Sequence, residues 1–338
     1  MKRNKQMNKQ FKEIYSKHEG KVVDKWTSYL LEWDQIFSTL RNEEINLLEI
    51  GIQNGGSLEI WAKYFDKAKN IVGCDINEAC RNLKFEDPRI STVIGDVNTD
   101  NAENKIVNIS SKYEIIIDDG SHLSSDIIRS FSRYFNRLST NGLYVIEDLH
   151  SSYWDIVGSG LYEPYSAISF LKRLVDITNF EHWRVNQSRE EYLIPFGEKF
   201  ETEFKEEDLS MINSVTFLNS LCLIKKRPSE ETTLGERLVI GLFESVTNNA
   251  QKWDKSTIHQ MKPINFNEDS NQDIFSLLNQ VEKMKTDEKK KEQEISALKK
   301  QITEMEGKIS FYANSKSWRI TKPLRDLLKL FKGKNERD

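Results

Sequence analysis

Cysteine, proline, long apolar runs and a dominant charge of one sign are all missing or scarce in this chain. Only three cysteines occur in 338 residues, Cys74, Cys80 and Cys222, and no two have CxxC spacing. A disulfide framework and a structural zinc site are therefore not expected, and a reducing cytosol suits the composition. No uncharged apolar run reaches the roughly 18 residues of a membrane span, which argues against an integral membrane protein. The basic N-terminus, MKRNKQMNKQFKEIYSK, has no apolar stretch behind it, so no signal peptide is expected. Lys and Arg number 49 against 53 Asp and Glu, a net charge of −4. Bulk attraction to nucleic acid is not indicated, and no nucleic-acid partner is expected.

The hydrophobic residues make up 38% of the chain, enough for one sizeable core. They are unevenly spread. Residues 1–22 read as a basic N-terminal arm, and 23–228 as a dense catalytic-type domain. Residues 229–273 read as a linker or helical extension, 274–312 as a coiled coil, and 313–338 as a basic amphipathic tail.

Within the dense section, NLLEI (46–50), NIVGCD (70–75), ISTVI (90–94), YEIII (113–117) and GLYVI (142–146) are short continuous apolar runs. Such runs suit strands buried on both faces of a parallel sheet. Helical patterns lie between them. Ser57–Phe65 sets Leu58, Trp61, Ala62 and Phe65 on one face, and Ser125–Leu138 does the same with Ile127, Ile128, Phe131, Phe135 and Leu138. The alternation predicts an α/β fold, doubly wound with right-handed crossovers. Later, SVTFL-NS-LCLIKK (214–226) predicts a hairpin turning at Asn219-Ser220 that adds one antiparallel strand.

Ligands of open α/β sheets bind beyond the carboxyl ends of the strands, so the residues there carry the functional signal. Strand one ends in Glu49-Ile50-Gly51-Ile52-Gln53-Asn54-Gly55-Gly56-Ser57. A glycine turn before a helix lets backbone approach a ligand and offers free amides to an anion. The dinucleotide pattern GxGxxG fails, because Gln53 stands where the second glycine belongs. Glu49 would repel a pyrophosphate and suit an ammonium. The methionyl end of S-adenosylmethionine carries both an ammonium and a carboxylate. Asp75 closes strand two about 20 residues after the glycine turn, a spacing suited to a ribose diol. Asp96 after strand three either reaches an adenine or simply closes a turn.

Strand four ends in Asp118-Asp119-Gly120-Ser121-His122, and strand five in Glu147-Asp148-Leu149-His150. Four carboxylates gathered at neighbouring strand ends repel one another and raise each other's pKa. A hard divalent cation held by oxygen removes that cost, and Mg²⁺ or Mn²⁺ suits a set with no thiolate. His150 is either substrate-facing or structural, and Tyr153 and Trp154 either stack on a sugar ring or pack in the core.

The stretches LEIGIQNGGS (48–57), IVGCDI (71–76), IGD (94–96), IIIDDGSH (115–122) and GLYVIEDLHSSYW (142–154) together resemble the class I S-adenosylmethionine-dependent methyltransferases. More narrowly they resemble the metal-dependent sugar O-methyltransferases of the macrocin and mycinamicin type, with cephalosporin-hydroxylase-like relatives. The resemblance covers roughly 25–227. It implies a mostly parallel seven-stranded Rossmann-like sheet, with Glu49, Gly51, Asn54, Gly55, Ser57, Asp75, Asp96 and Asp118 about the cofactor. It also implies Asp119, Glu147 and Asp148 as metal ligands, His122 as general base, and a sugar or glycan acceptor. The chemistry agrees. A metal lowers the pKa of a bound water from about 15.7 to about 7 and should act likewise on a chelated sugar hydroxyl. Histidine titrates near neutral pH and can take the released proton. Two other readings stand beside this one: an NAD-dependent nucleotide-sugar oxidoreductase or epimerase, and an inert domain serving a coiled-coil scaffold.

From 274 to 312 apolar residues recur at alternating spacings of three and four. Ile274, Val281, Ile295, Ile302 and Ile309 take one heptad position, and Leu277, Met284, Leu298, Met305 and Tyr312 the other; Glu288 and Lys291 interrupt the seam. β-Branched residues at a with Leu or Met at d favour a parallel two-stranded coil and a homodimer. The rival is a coil within one chain or antiparallel. In 313–338, Leu324, Leu327, Leu328 and Phe331 share a helical face flanked by Arg325, Lys329 and Lys332. This tail either lies on an anionic membrane surface or stays solvated. The stretch SWRITKPLR also resembles a short tail motif of bacterial cell-surface glycan enzymes. The expected location is cytosolic, with contact to the inner membrane face through the tail.

Overall fold

In the computed structural model, residues 10–155, 159–183, 185–258 and 274–332 are described. They fall into two compact units, divided between residues 263 and 264. No helix among the described residues is long and apolar enough to cross a membrane.

The first unit runs α1 (Gln10–Ser16), α2 (Thr27–Phe37), β1 (Asn46–Ile50), α3 (Gly56–Tyr64), β2 (Asn70–Asp75), β3 (Ile90–Ile94), α4 (Asp100–Ile109), β4 (Tyr113–Asp118), α5 (Ser124–Tyr134) and β5 (Leu138–Ile146). It continues through α6 (Ala167–Ile177), α7 (Arg189–Phe200), α8 (Glu206–Leu209), β6 (Ile212–Leu218) and β7 (Leu221–Lys226). The seven strands order as β3-β2-β1-β4-β5-β7-β6. The first five are parallel, and β7 runs antiparallel to both its neighbours. The expected hairpin forms, with Asn219 and Ser220 between its strands and Ser220 at φ 68°.

Strand side chains alternate between the two faces. Leu47, Ile71, Ile115 and Ile117 meet an aromatic cluster of Phe11, Trp33, Phe37, Trp61, Tyr64 and Phe65. On the other side Tyr144 meets Phe131, which also packs on Phe135 and Phe170. Each fully buried large side chain contributes on the order of 2–3 kcal/mol of transfer free energy. Part of the basic N-terminal segment joins this core, since Phe11 is buried between Trp33 and Trp61.

Register sets the site. Ile50 lies opposite both Cys74 and Asp118, and Asp118 lies opposite Ile146. The loops after β1, β2, β4 and β5 therefore emerge side by side. The strand order reverses between β1 and β4, the position where open α/β sheets form their binding crevice.

One expectation is corrected. Leu138 is not the last residue of a helix: α5 stops at Tyr134, a single 3-10 turn follows, and Leu138 opens β5 opposite Tyr113. Within 229–258, part of the stretch expected as a linker or helical extension, the regular structure consists of the short 3-10 turns Ser229–Glu231 and Ala250–Trp253. Gly235 and Gly241 adopt positive φ there, which no α-helix accommodates. Residues 1–9, 259–273 and 333–338, parts of the expected arm, extension and tail, lie outside the described residues.

The second unit contains α9 (Ile274–Asn314), α10 (Lys316–Ile320) and α11 (Lys322–Lys332). The expected seam of α9 is exposed, from Leu277 and Val281 through Ile302 to Ile309 and Tyr312.

Candidate active site

A cavity of about 420 Å³ opens at the switch between β1 and β4. Its lining includes Gly51, Ser57, Asp75, Asp119, His122, Glu147 and Asp148, all expected from sequence. Glu49, Asn54, Gly55, Asp96, Asp118, His150, Tyr153 and Trp154 do not line it.

The glycine turn is built by strained backbone. Gly51 has φ +83°, and a Cβ there would lie 2.2 Å from the Asp119 carbonyl oxygen. Only glycine allows the β1 and β4 loops to approach so closely. Gln53, His122 and Asp148 also adopt positive φ, at 47°, 58° and 55°. Three such non-glycine residues around one cavity mark a place where the fold holds strain.

Asp75 accepts hydrogen bonds from the Ile52 and Gln53 amides, both at 2.9 Å, and from the Asn77 amide at 2.8 Å. These bonds fix the carboxylate at the cavity edge. A carboxylate has about four acceptor sites, so capacity remains for a diol. Glu49 is buried below, where Ser57 Oγ donates to it at 2.7 Å. Asp96 closes a turn by accepting from the Asn98 amide. Asp118 is buried beneath the loop, and burial pushes its carboxyl up to about 7.

Asp119, His122 and Asp148 converge. One ligand atom from each lies within 4.8 Å of the other two. His122 Nε2 is 4.0 Å from Asp119 Oδ1 and 3.9 Å from Asp148 Oδ2. Two carboxylates and an imidazole around an open cavity fit a divalent cation of the Mg²⁺ or Mn²⁺ kind. Glu147, expected in the same ligand set, is engaged elsewhere. Its Oε2 pairs with Lys25 at 2.9 Å, while its Oε1 is buried without a hydrogen-bond partner.

Lys25 was not foreseen. Its side chain is 4% exposed, and its Nζ lies 2.5 Å from Asp119 Oδ2 and 3.7 Å from Glu49 Oε1. Burial opposes its charge, but Glu147, Asp119 and Glu49 outweigh that and hold its pKa well above the ordinary lysine value. Burial in turn raises the pKa of Glu49 and of Glu147, against the pull of Lys25. Trp26 Nε1 and Tyr29 Oη both donate to Asp148 Oδ1, at 3.0 and 2.8 Å. All three residues precede β1, where the sequence offers no glycine turn or strand end. Their one sequence signal is the Trp26–Tyr29 spacing, which puts both rings on one side of the start of α2.

His150 Nδ1 contacts Ser220 Oγ at 2.6 Å, and its ring packs edge-on to Trp26 and Trp154. Tyr153 and Trp154 are half-exposed beside it. Of these three, His150 touches Trp26, which lines the cavity.

Residues 28–151 match the FtsJ-like methyltransferase family. The chain is 35% identical over 164 residues to the 8-demethyl-8-alpha-L-rhamnosyl tetracenomycin-C 2'-O-methyltransferase of Streptomyces olivaceus, covering 45% of this chain and 42% of that one. It is 36% identical over 169 residues to the demethylmacrocin O-methyltransferase of Streptomyces fradiae, covering 46% and 42%. The chain thus spans less than half the length of these relatives. Among solved structures, MycE methyltransferase from the mycinamycin biosynthetic pathway, in complex with Mg and SAH, superposes with a TM-score of 0.54. The identity there is 24%, over 65% of this chain and 55% of that one. That likeness concerns the fold.

Proposed function

We propose that this protein, whose residues 28–151 match the FtsJ-like methyltransferase family, transfers the methyl group of S-adenosylmethionine to a sugar hydroxyl, with a divalent cation bound. The acceptor is a sugar of a bacterial cell-surface glycan or related glycoside. The observation that carries this reading is the convergence of Asp119, His122 and Asp148 beside a cavity edged by Gly51 and Asp75.

Asp75 receives the ribose diol, and the Gly51–Ser57 turn receives the methionyl end of the donor. Asp119 and Asp148 hold the cation, with Glu147 adjoining. When bound, the cation supplies Lewis-acid acidification of the acceptor hydroxyl. His122 Nε2 takes the hydroxyl proton as the sugar oxygen attacks the methyl carbon. The new O–C bond forms as the C–S bond breaks, and S-adenosylhomocysteine leaves with the electron pair on sulfur. The fixed backbone at Gln53, His122 and Asp148 keeps these groups in position, which lowers the barrier through orientation.

The test is incubation with methyl-labelled S-adenosylmethionine and candidate glycans, with and without EDTA. Label transfer to a sugar oxygen, abolished by EDTA and restored by Mg²⁺, is the expected result. Transfer that ignores EDTA rejects the metal, and the absence of transfer to any hydroxylated sugar rejects the acceptor class.

For partners, the reading includes a homodimer through 274–312, supported by the exposed apolar seam of α9. It also includes contact of 313–338 with an anionic membrane face. Leu324, Leu327 and Leu328 are exposed on α11, and the Arg325 guanidinium stacks on Trp318 with 3.5 Å to the ring centroid. Co-sedimentation with phosphatidylserine vesicles tests that contact: pelleting that does not depend on 313–338 rejects it.

A further inference from the structure

We propose that Lys25 is a tethered cation standing in the place of the divalent ion, so that metal enters this site by exchange with the Lys25 ammonium. The proposal rests on the reading above that a divalent cation binds among these carboxylates.

Three observations carry it. First, Lys25 Nζ lies between Asp119 and Glu147, at 2.5 and 2.9 Å, with Glu49 at 3.7 Å. Oxygens from two separate strand ends thus converge on one positive centre, the arrangement a divalent ion needs. Second, the neighbouring residues occupy the remaining carboxylate. Trp26 and Tyr29 both donate to Asp148 Oδ1. Asp119, Glu147 and Asp148 are therefore all engaged by one short stretch, 25–29. Third, Glu147 Oε1 is buried without a partner. A single ammonium engages one of its oxygens and leaves the other unsatisfied, whereas a cation with several open coordination positions can take more.

The stretch is anchored upstream independently of the acids. The Lys21 amide and Nζ both donate to Glu59, at 2.9 and 2.6 Å. The Lys21 and Val22 carbonyls press on the start of α3 so closely that a Cβ on Gly56 would lie 2.2 and 2.5 Å from them. Downstream, α2 begins at Thr27. The anchors on either side stay in place while the flexible four-carbon stem of Lys25 swings its ammonium out. Exchange then frees Asp119 and Glu147 together, and Glu147 joins Asp119 and Asp148 in holding the ion.

The exchange has a cost in the native chain: the three ion pairs of Lys25, with Asp119, Glu147 and Glu49, break as the metal enters. Removing the ammonium removes that cost and leaves buried carboxylates that only a metal can balance. The test uses the full chain and Mn²⁺ alone, with free Mn²⁺ read by electron paramagnetic resonance. Lys25→Met is expected to bind Mn²⁺ at least about tenfold more tightly than the native chain, or about 1.4 kcal/mol. Lys25→Arg, which keeps the charge, is expected to show no such gain. In the native chain, acetylation of Lys25 by acetic anhydride, followed by mass spectrometry, is expected to rise severalfold on saturation with Mn²⁺ as the amine leaves its buried position.

Equal or weaker Mn²⁺ binding by a folded Lys25→Met variant overturns the proposal, as does Lys25 labelling that saturating Mn²⁺ leaves unchanged. If Lys25→Met does not fold, the labelling of the native chain decides alone. These outcomes leave the methyl-transfer reading standing. A native chain and variant that both bind no Mn²⁺ overturn the exchange and the metal together, while methyl transfer remains separately measurable.

Discussion

The α-carbon of Gly51 and the carbonyl of Asp119 are in such close contact that a methyl group on the first would lie 2.2 Å from the oxygen of the second. This contact joins the cofactor side of the cavity to its acidic side, because Gly51 opens the turn after β1 and Asp119 is a proposed metal ligand.

Gly51→Ala therefore has two penalties: a side chain at φ +83° and a clash with backbone that cannot rotate away. The expected destabilisation is about 2 kcal/mol or more. Urea unfolding measures it, and titration with S-adenosylhomocysteine should show affinity lost in parallel. A variant with native stability and native affinity contradicts the contact.

Asp119→Asn and Asp148→Asn remove charge from the cluster without removing bulk. Loss of supporting contacts to a metal commonly costs 10–100-fold in affinity, and loss of a ligand should cost at least about 100-fold. Mn²⁺ titration and methyl transfer are expected to fall together in both variants. Glu44→Gln is the control, since Glu44 pairs with Lys69 on the exposed surface and should change neither.

His122→Gln keeps a polar side chain of similar reach and removes the base. The expected loss in kcat is about 10²–10⁴-fold. Binding of S-adenosylhomocysteine should stay near the native value. If Mn²⁺ affinity falls as steeply as kcat, His122 acts as a ligand instead, as its distances to Asp119 and Asp148 would also allow.

The fold was largely legible because the parallel strands carry unbroken apolar runs. NLLEI, NIVGCD and ISTVI form strands over the same residues that the sequence marks. The acids at strand ends were legible because register and strand order bring such ends together. Lys25 was not, because its role comes from a segment without regular structure folding back across the cavity, and no periodicity encodes that. Glu147 shows the same limit: its sequence position places it at the site, but only the three-dimensional arrangement reveals that an ammonium already engages it. The end of α5 was misjudged at Leu138 because an apolar residue at helical spacing serves equally as the first residue of a strand.

Lys226 offers a pH test remote from the cavity. Its side chain is buried, its Nζ donates to the Phe135 carbonyl at 2.9 Å, and burial lowers its pKa from 10.5 to about 8. A lysine depressed in the fold releases its proton at lower pH there than in the unfolded chain. Between pH 8 and 10.5 the unfolded state binds more protons, so this residue makes stability rise with pH across that window. With partial solvent access allowed for, the contribution is at most about 2 kcal/mol. Lys226→Met should lack that rise when urea unfolding is compared at pH 7.5 and 10.5. A rise of equal size in both proteins assigns it to other groups.

The α9 seam gives the last prediction. Leu277, Val281, Met284, Ile295, Leu298, Ile302, Met305 and Ile309 are each 43–70% exposed. A solvated single helix has no need for so regular an apolar stripe, whereas a two-stranded coil buries it against its own copy. Glu288 and Lys291 weaken the middle of the stripe, so the ends supply most of the association. The full chain is expected to sediment as a dimer at micromolar concentration and a chain ending at residue 270 as a monomer. Replacing Ile302 and Ile309 with Lys should dissociate the dimer while leaving donor binding in the first unit unchanged. A monomeric full chain under those conditions rejects the coil.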